Sequence, residues 1–407
     1  MSDDAWRDAF PVLSRRIDGR PIVYLDAAAS SLRCRSSIDA EFDFATRIGA
    51  NVHRGRHALS QESSLLYDLA REETARVLGA PPSCIVFTSG ATQGLNLVAD
   101  GLRLSPGDTV LLPGSEHHSN ILPWMSRCRV AWLEHDGLSE LDLAEVEDAI
   151  ERHAPRLLAF SCASNVTGVW TEPGPVCALA RRHGVLTVLD ASQAVAHRSL
   201  RMPEAGCDFA VFSGHKVFAG HGIGVLAGRA EALDLLAPLN LGGGTVDRVS
   251  RDRYALKALP YRLEAGTPNV GGAIGLAAAL RFRESQDADA VAAAEAGLVE
   301  ALQQIETVGL PLRALAPRRG VDRLPILTLA VEPGPVDADH LAVELSDRYG
   351  IMVRSGYHCA HPLLEGHGVA LGALRISAAL YTTRGDIAAC RDALRDLAGL
   401  YGPTRPG

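Results

Sequence analysis

Reactive side chains stand at the ends of apolar stretches in this sequence. Lys216, in "FSGHKVFAGHGIG", lies between an apolar run and a glycine-rich turn. A lysine held there would be partly desolvated, which lowers its pKa and frees a neutral amine to attack a carbonyl carbon. Asp190 ends the apolar run "VLTVLD" and could pair with a protonated ring nitrogen of a cofactor. A surface lysine and a helix-capping aspartate are the alternative interpretations.

A third element is the turn "TSGATQG", which contains Ala91 and Thr92 between an apolar run and a helix-like segment. Free backbone N–H groups and the helix dipole at such a turn favour an anion, although small-residue turns of this kind are common. A phosphate turn, an aspartate and a Schiff-base lysine on one sheet are the minimum set that pyridoxal phosphate requires. The combination therefore predicts pyridoxal 5'-phosphate as the cofactor.

The stretch "VRSGYHCAHPLLE" places Cys359 between two imidazoles. Cys359 could be a metal ligand, a buried structural cysteine or a nucleophile. A closed zinc site needs four well-placed ligands, and this stretch offers only adjacent residues, so no metal site is predicted. His358 and Arg354 could favour a thiolate at Cys359. The choice between an inert and a nucleophilic cysteine depends on what the rest of the chain brings to it.

The elements that must position these groups alternate between strand-like and helix-like segments, which predicts a mainly parallel sheet covered on both faces. Ligands of such open sheets lie beyond the carboxyl ends of the strands. That edge collects Ser89 to Thr92, His117 and His118, Asn165, Asp190 to Gln193, and Ser213 to Lys216. We expect these segments to converge on one crevice.

From about residue 273 the sequence becomes Ala-rich and helical, and the strand-like runs "PILTLAV", "IMVRS" and "ALRISAAL" follow. This pattern predicts a smaller α+β domain that carries the Cys359 loop. We therefore expect an α/β protein with three parts. They are an N-terminal segment over 1–20 packing near the small domain, a large cofactor-binding domain over 21–288, and a small C-terminal domain over 289–407.

Composition argues against two classes of partner. The net charge is −8 and the basic residues are scattered, so the chain lacks the basic patch that nucleic-acid binding requires. The polar N-terminus and the lack of a long apolar run predict neither a signal peptide nor a membrane span, and a cytoplasmic location is expected. The eight cysteines form no C-x-x-C pair.

Ten segments of the sequence resemble, in order, the motifs of the group II cysteine desulfurases. These SufS/CsdA-like enzymes belong to class V of the fold-type I pyridoxal phosphate enzymes. The segments are "YLDAAASS", "NVHRGRHALS", "FTSGATQGLNLVA", "SEHHSNILPW", "SNVTG", "LDASQAVAH", "FSGHKVFAGHGIGVL", "EAGTPNVGG", "VRSGYHCA" and "LRISAALYTT". "SGHK" and "GYHCA" are specific only in combination. The resemblance implies a fold-type I transferase with cysteine desulfurase activity.

The resemblance also implies roles around the cofactor. Lys216 resembles the Schiff-base lysine and the acid–base at the substrate Cα, Asp190 the pyridinium partner, and Gln193 the donor to the ring's phenolic oxygen. His117 resembles the imidazole that stacks on the ring and shuttles protons. The positions implied at the phosphate are Ala91, Thr92, Ser213, His215 and, from a second subunit of a homodimer, Thr267.

On the substrate side, Asn165 and Arg375 resemble the groups that fix the carboxylate of L-cysteine, a task that suits guanidinium geometry. Helix capping and a surface ion pair are the alternatives for these two residues. Arg354 and His53 are further implied substrate-binding positions. Cys359 resembles the nucleophile that takes the substrate sulfur as a persulfide, releases alanine and passes sulfur to an acceptor such as a SufE- or SufU-like protein.

Two competing functions remain open at this level. Another class V reaction would keep Lys216 and Asp190 but be indifferent to Cys359→Ala; selenocysteine lyase, a C–S lyase on a cysteine derivative, an epimerase and an aminotransferase are the examples. A sulfur-transfer scaffold without turnover is the non-enzyme alternative. Tyr357 and His361 replace a usual histidine and a usual Met or Gln beside the nucleophile. They leave the substrate preference and the sulfur acceptor open. The loop 241–262 is less like the family than its flanks, and it leaves open the choice between iron–sulfur cluster assembly and a specialised pathway.

Overall fold

The computed structural model of the protein describes residues 6–53, 55–307, 310–334 and 336–401. Its strands are β1 (Arg16–Ile17), β2 (Arg20–Pro21), β3 (Val23–Tyr24), β4 (Ile85–Thr88), β5 (Thr109–Pro113), β6 (Arg129–Leu133), β7 (Leu157–Ser161), β8 (Leu186–Asp190), β9 (Phe209–Ser213), β10 (Gly224–Gly228), β11 (Val246–Val249), β12 (Tyr254–Leu256), β13 (Leu312–Ala314), β14 (Ile326–Val331), β15 (Ile351–Met352), β16 (Arg354–Gly356) and β17 (Ala373–Ser377).

The α-helices cover these strands and carry the connections between them. They are α1 (Arg35–Arg47), α2 (Ala58–Leu78), α3 (Ala91–Gly101), α4 (Leu122–Met125), α5 (Leu143–His153), α6 (Pro173–Arg182), α7 (Met202–Ala205), α8 (Ala230–Asp234), α9 (Val270–Glu284), α10 (Ala288–Gln303), α11 (Ala338–Tyr349), α12 (His361–Gly366) and α13 (Arg384–Tyr401). Short 3-10 turns at His118–Asn120 and Gly214–Lys216 lie at the site described below.

The central sheet has the strand order β4-β10-β9-β8-β7-β5-β6. Strands β9, β8, β7, β5 and β6 are parallel, and β10 runs antiparallel to both of its neighbours. The predicted α/β fold with a mainly parallel sheet is confirmed. Because all the parallel carboxyl ends lie at one edge, loops that are distant in the sequence meet there.

The apolar strands are buried because side chains on both faces of the sheet are covered. In β7, Leu158 and Phe160 belong to one apolar core, while Leu157 and Ala159 belong to the core on the opposite face. Each of these side chains is fully buried. Burying a Leu or Phe side chain contributes about 1.5–3 kcal/mol, so the two cores hold the strand rigidly between them.

A second sheet, in the order β13-β14-β17-β16, is antiparallel throughout and forms the C-terminal α+β part. Leu25 packs in the core of this part, and Val23 pairs with Ile351 in a parallel β3–β15 bridge. The sequence analysis assigned residues 23–25 to the large domain, which begins at residue 21. It did not predict that they contact the C-terminal part. The apolar pattern of "IVYL" suits either core, so only the fold decides which one it joins.

The N-terminal segment packs where the two parts meet. The Phe10 ring lies edge-on to three aromatic rings, with centroid distances of 5.3 Å to Phe218, 5.8 Å to Phe282 and 4.7 Å to Tyr381. Arg7 Nη1 donates to Asp386 Oδ2 at 2.6 Å, at the start of α13. The domain limits themselves stay a prediction. Within the described residues, no helix is long and apolar enough to cross a membrane.

Candidate active site

A cavity of about 210 Å³ lies at the carboxyl edge of the central sheet, between the two parts of the molecule. Its lining residues come from eight separate stretches of chain: Ala28, Ala29, Ala91, Thr92, His117, Ser119, Asn165, Asp190, Ser192, Ser213, His215, Lys216, Arg354, His358, Cys359 and Arg375. The strand-end segments that the sequence analysis expected to converge therefore do meet. We call the part formed by the sheet the floor and the part formed by the Cys359 loop the mouth.

Lys216 lies on the floor, after β9 and in the turn Gly214–Lys216. Burial lowers the pKa of its amine, and the nearby Asp190 carboxylate opposes that shift. Lys216 and Lys257 are the only lysines in the sequence, and Lys257 lies outside this cavity. The floor thus holds a buried amine with an increased neutral fraction, which is what a Schiff-base nucleophile needs.

Asp190 ends β8 in a fully hydrogen-bonded part of the sheet. Its Oδ1 accepts a hydrogen bond from Ser192 N at 2.9 Å, so one carboxylate oxygen caps the following turn. The residue therefore caps a turn and also lines the cavity, and its pairing with a cofactor ring nitrogen stays a prediction. Its charge acts on both Lys216 and His117.

His117 follows β5 and faces the same cavity. Burial and the Lys216 charge lower the pKa of its imidazole to about 4, so the ring is neutral at physiological pH. Its Nδ1 accepts a hydrogen bond from Ser119 N at 3.0 Å. That bond leaves Nδ1 unprotonated and assigns the proton of the neutral ring to Nε2.

The turn before α3 has the geometry of an anion site. Ala91 begins the helix, so the first N–H groups lack intrahelical partners, and Ala91 N donates to Ser213 Oγ at 2.9 Å. Thr92 Oγ1 and Ser119 Oγ lie 2.8 Å apart. A Cβ on Gly224 would lie 2.5 Å from the Cα of Gly90, so only glycine lets β10 approach the turn this closely.

The two predicted substrate arginines converge on one carboxylate. Arg354 Nη1 and Arg375 Nη2 each lie 3.3 Å from an oxygen of Asp26, and Arg375 Nη1 donates to the backbone oxygen of Asn165 at 3.0 Å. Burial raises the pKa of Asp26, although both guanidinium groups oppose the shift. Burial lowers the pKa of Arg375. The wall of the cavity formed by β16 and β17 therefore carries two positive charges that a single internal carboxylate only partly balances.

The mouth is the loop between β16 and α12. His358 and Cys359 adopt left-handed backbone conformations, with φ of 49° and 56°. Two hydrogen bonds from the large part hold this strained turn: Asn165 Nδ2 donates to His358 O at 2.8 Å, and His118 N donates to Cys359 O at 2.8 Å. Cys359 is exposed, so the turn presents its thiol at the entrance of the cavity.

Three predicted site residues lie outside the cavity lining. Gln193 is buried beside it and donates through Nε2 to Ala28 O at 2.8 Å. Thr267 is exposed on the loop before α9. The His53 ring contacts Tyr67 and Tyr261 in a separate pocket, with centroid distances of 5.8 and 5.3 Å. The Arg54 beside it lies outside the described residues.

Sequence reasoning missed two acidic residues that organise the site. Asp26 lies in the motif "YLDAAASS" and pairs with both arginines, and Glu116 directly precedes His117. Glu116 is fully buried, which raises the pKa of its carboxyl to about 7. Both residues lie in segments that carry the family resemblance, but their partners come from distant parts of the sequence. Motif positions could have suggested them, whereas their contacts could not be predicted.

The residues of this cavity fit pyridoxal phosphate. The lysine amine is buried and the aspartate carboxylate lies near it, while a helix N-terminus faces the same space. The buried Nδ1 of His215 has no hydrogen-bond partner among the described residues, so it is free to meet a bound anion. In the same ranges, no group of three or more His, Cys, Asp or Glu side chains could hold a metal ion.

Residues 23–390 match the family model described as aminotransferase class-V. A probable cysteine desulfurase of Vibrio cholerae is 36% identical over 397 residues, which cover 94% of this chain and 95% of that protein. A cysteine desulfurase of Klebsiella pneumoniae is 38% identical, with 94% of each chain covered. Among solved structures, the apo cysteine desulfurase of Thermococcus onnurineus superposes with a TM-score of 0.88, at 33% identity and 97% coverage of each chain. Escherichia coli CsdA superposes with 0.85, at 32% identity, over 98% of this chain and 99% of that one.

Proposed function

Because the chain belongs to the aminotransferase class-V family, we propose that it is a cysteine desulfurase that uses pyridoxal phosphate to convert L-cysteine to L-alanine. The observation that carries this proposal is an exposed thiol, Cys359, at the entrance of a cavity whose floor holds a buried lysine. A lyase that works through the lysine alone has no need of a thiol placed there. Sulfur transfer from substrate to protein needs both groups.

The floor residues would hold the cofactor. Lys216 would form its Schiff base, Asp190 would face its ring nitrogen, and His117 would lie against its ring. The helix turn at Ala91 and Thr92, with Ser213 and His215, would bind its phosphate. When bound, pyridoxal phosphate supplies an electron sink for the pair left when the substrate Cα loses its proton. The hydrogen-bond role predicted for Gln193 toward the ring oxygen stays a prediction, since its amide bonds to Ala28.

Proton transfer at the substrate Cα is the task of Lys216. Its lowered pKa gives a neutral amine that can accept the Cα proton, and the same group can return a proton later. Arg375 and Arg354 lie beside this position, and their shared Asp26 leaves net positive charge for the substrate carboxylate. Asn165 uses one amide hydrogen on the Cys359 loop and has a second to offer.

Sulfur transfer is the task of Cys359. Its thiolate forms a bond to the substrate sulfur, the substrate's Cβ–S bond breaks, and the electron pair stays with carbon, which takes up a proton and leaves as alanine. The sulfur remains as a persulfide on Cys359. An acceptor thiolate then attacks the outer sulfur and releases the Cys359 thiolate, so no external oxidant is needed.

The partners of this reaction are also part of the proposal. The positions of Thr267 and His53 outside the cavity of their own chain favour a homodimer in which they serve the second site. The described cysteines are all free thiols, which agrees with a cytoplasmic location and a protein thiol as acceptor. Sulfur delivery to iron–sulfur cluster assembly or to a specialised biosynthetic pathway would follow from the acceptor.

The deciding experiment incubates the yellow holoenzyme with L-cysteine and a reductant, with Cys359→Ala beside the wild type, and quantifies alanine, sulfide and pyruvate. We expect equimolar alanine and sulfide from the wild type and loss of both in the variant. Cys128→Ala, which removes a half-buried thiol that does not line the cavity, is the matched control. Pyruvate with sulfide, or turnover that survives Cys359→Ala, would indicate a lyase instead.

A further inference from the structure

Three aromatic rings stack beside the nucleophile. The ring of His361 lies parallel to that of Tyr357, with 4.3 Å between centroids and 7° between planes. Its other neighbour is His118, at 5.0 Å and 18°. Tyr357 Oη donates to Ala370 O at 2.8 Å, which fixes the outer ring of the stack. The stack therefore joins the Cys359 loop and α12 to the segment after β5 on the large part.

The hydrogen bonds of this stack define its protonation. His361 Nδ1 lies 3.1 Å from His118 Nε2, and the backbone N–H of His361 donates to the same His118 Nε2 at 3.4 Å. A backbone N–H can only donate, so His118 Nε2 is the acceptor of both bonds, and His361 Nδ1 carries the proton. The arrangement requires a neutral His118, and a proton on its Nε2 would break both bonds.

The same histidine holds the nucleophile directly through its backbone. His118 N donates to Cys359 O, and Cys359 has a left-handed φ of 56°. A non-glycine residue in this conformation is strained and persists only where its surroundings enforce it. The ring bonds of His118 and the backbone bond to Cys359 act on one short loop, so they reinforce each other.

From this geometry we propose that His118 and His361 form a histidine clamp that positions the Cys359 thiol for attack on the substrate sulfur and that releases the loop when His118 gains a second proton. The clamp rests on the proposed desulfurase function and deepens it, since it concerns the sulfur-transfer step alone. His118 and His361 are positioning residues, because they act through the Cys359 loop.

The surroundings of the clamp favour its neutral form. Burial and the neighbouring His361 lower the pKa of His118, so the clamp holds at physiological pH and opens only under acid conditions. The titratable groups that face it in the described residues are His117, whose ring centre lies 6.3 Å from that of His118, with Tyr357 and Cys359 on the loop. The pKa of His117 is already lowered to about 4, so it adds no charge at neutral pH.

The test separates cofactor–substrate binding from sulfur transfer. Holoenzyme is mixed with one equivalent of L-cysteine without reductant; the absorbance change of the cofactor reports substrate binding, and mass spectrometry of the Cys359 peptide reports persulfide. We expect His118→Ala, which removes two hydrogen bonds, to slow persulfide formation about tenfold. His361→Ala removes only the Nδ1 bond and should slow it about threefold, and the absorbance response should be unchanged in both variants. His183→Ala, which removes a surface histidine paired with Glu147, is the control.

Variants that conserve the acceptor sharpen the test. A glutamine amide oxygen can replace Nε2 of His118 but cannot be protonated, so His118→Gln should keep most of the persulfide rate near pH 7. As the pH falls from 7 to 5, the wild-type rate should decrease relative to His118→Gln, because the thiolate fraction of Cys359 falls in both proteins and cancels in the ratio.

The outcomes distinguish the two proposals. Wild-type persulfide rates in both alanine variants, or a pH-independent ratio of wild type to His118→Gln, would overturn the clamp. Absence of persulfide in the wild type itself, despite a normal absorbance response, would overturn the proposed desulfurase function.

Discussion

The floor and the mouth of the cavity are held in different ways. Asp190 and Ser213 end buried strands whose backbone groups are paired along the sheet, with apolar cores on both faces. Cys359 is exposed at a turn with a strained backbone, which the Asn165 and His118 bonds hold from the large part. The floor is therefore fixed by the fold as a whole, and the mouth by a few local contacts.

This difference matches the two tasks that we propose. Cofactor chemistry at Lys216 needs fixed distances, and a buried parallel sheet supplies them. The Cys359 thiol must first reach a substrate inside the cavity and then an acceptor outside it. A loop held by individual hydrogen bonds, each contributing about 0.5–1.5 kcal/mol, can make that movement at low free-energy cost. Perturbing each region separately should therefore damage separate steps.

The largest loss of activity should come from a substitution in the floor. Lys216→Ala removes the buried amine, and we expect alanine formation to fall roughly 10³-fold, as is typical for loss of a general acid–base. Reduction with borohydride should fix the cofactor to the wild type and not to the variant. Lys257→Ala, which removes the other lysine, is the control and should behave as the wild type.

The same variant sharpens the comparison between the two regions. If the mouth is held independently, iodoacetamide should alkylate Cys359 at the same rate in Lys216→Ala as in the wild type. A large change in that rate would mean that the conformation of the Cys359 loop depends on the floor.

A smaller loss of activity should come from a substitution that loosens the mouth. Asn165→Ala removes the bond to His358 O and leaves the bond from Arg375 to the Asn165 backbone oxygen intact. Loss of about 1 kcal/mol should lower the population of the held loop about fivefold, and persulfide formation by a similar factor. We expect faster alkylation of Cys359 at the same time. Asn240→Ala, at an exposed position, is the control.

An opposite result would identify the role that the sequence analysis assigned to Asn165. If Asn165→Ala raises KM for L-cysteine and leaves Cys359 alkylation unchanged, the amide serves the substrate carboxylate more than the loop.

The floor was largely predictable from sequence, and the confirmed fold class explains why. Strand-like runs that end in polar residues place Asp190, Ser213 and Lys216 at one edge of a parallel sheet, whatever the details of packing. The chemistry of each residue type then limits what the edge can bind. The Cys359 loop was recognised through its motif, because its composition alone left three interpretations open.

The contacts of the mouth were beyond sequence reasoning. The bond between His118 and His361 joins residues more than two hundred positions apart, and Asp26 meets Arg375 across a similar gap. No periodicity encodes such pairs, because they depend on how the two parts dock. The same limit applies to His53, predicted as a substrate-binding position, and to Thr267, whose predicted role involves a second subunit, and both roles stay predictions.

Glu116 lies between the two regions, and the effect expected of it is a change in Tm of only a few degrees. Asn120 Nδ2 donates to its carboxylate at 2.7 Å, and Ser161 donates through N and Oγ at 2.8 and 2.6 Å. These bonds attach the segment after β5 to the end of β7. That segment carries His117 on the floor and His118 at the mouth. Burial raises the pKa of Glu116 from its ordinary value of 4.5 to about 7.

The direction of its pH effect follows from that shift. Between pH 4.5 and 7 the folded protein binds a proton at Glu116 that the unfolded chain does not. The stability that this proton binding contributes is therefore fully present below pH 4.5 and is lost as the pH rises through 7. The total is of order 3 kcal/mol. Glu116→Gln keeps a neutral side chain at every pH, so wild-type Tm should fall relative to the variant by about 3 °C between pH 5 and 8. Parallel Tm curves, as expected for the exposed control Glu72→Gln, would mean that Glu116 stays ionised and that the segment between floor and mouth is held by a buried charge.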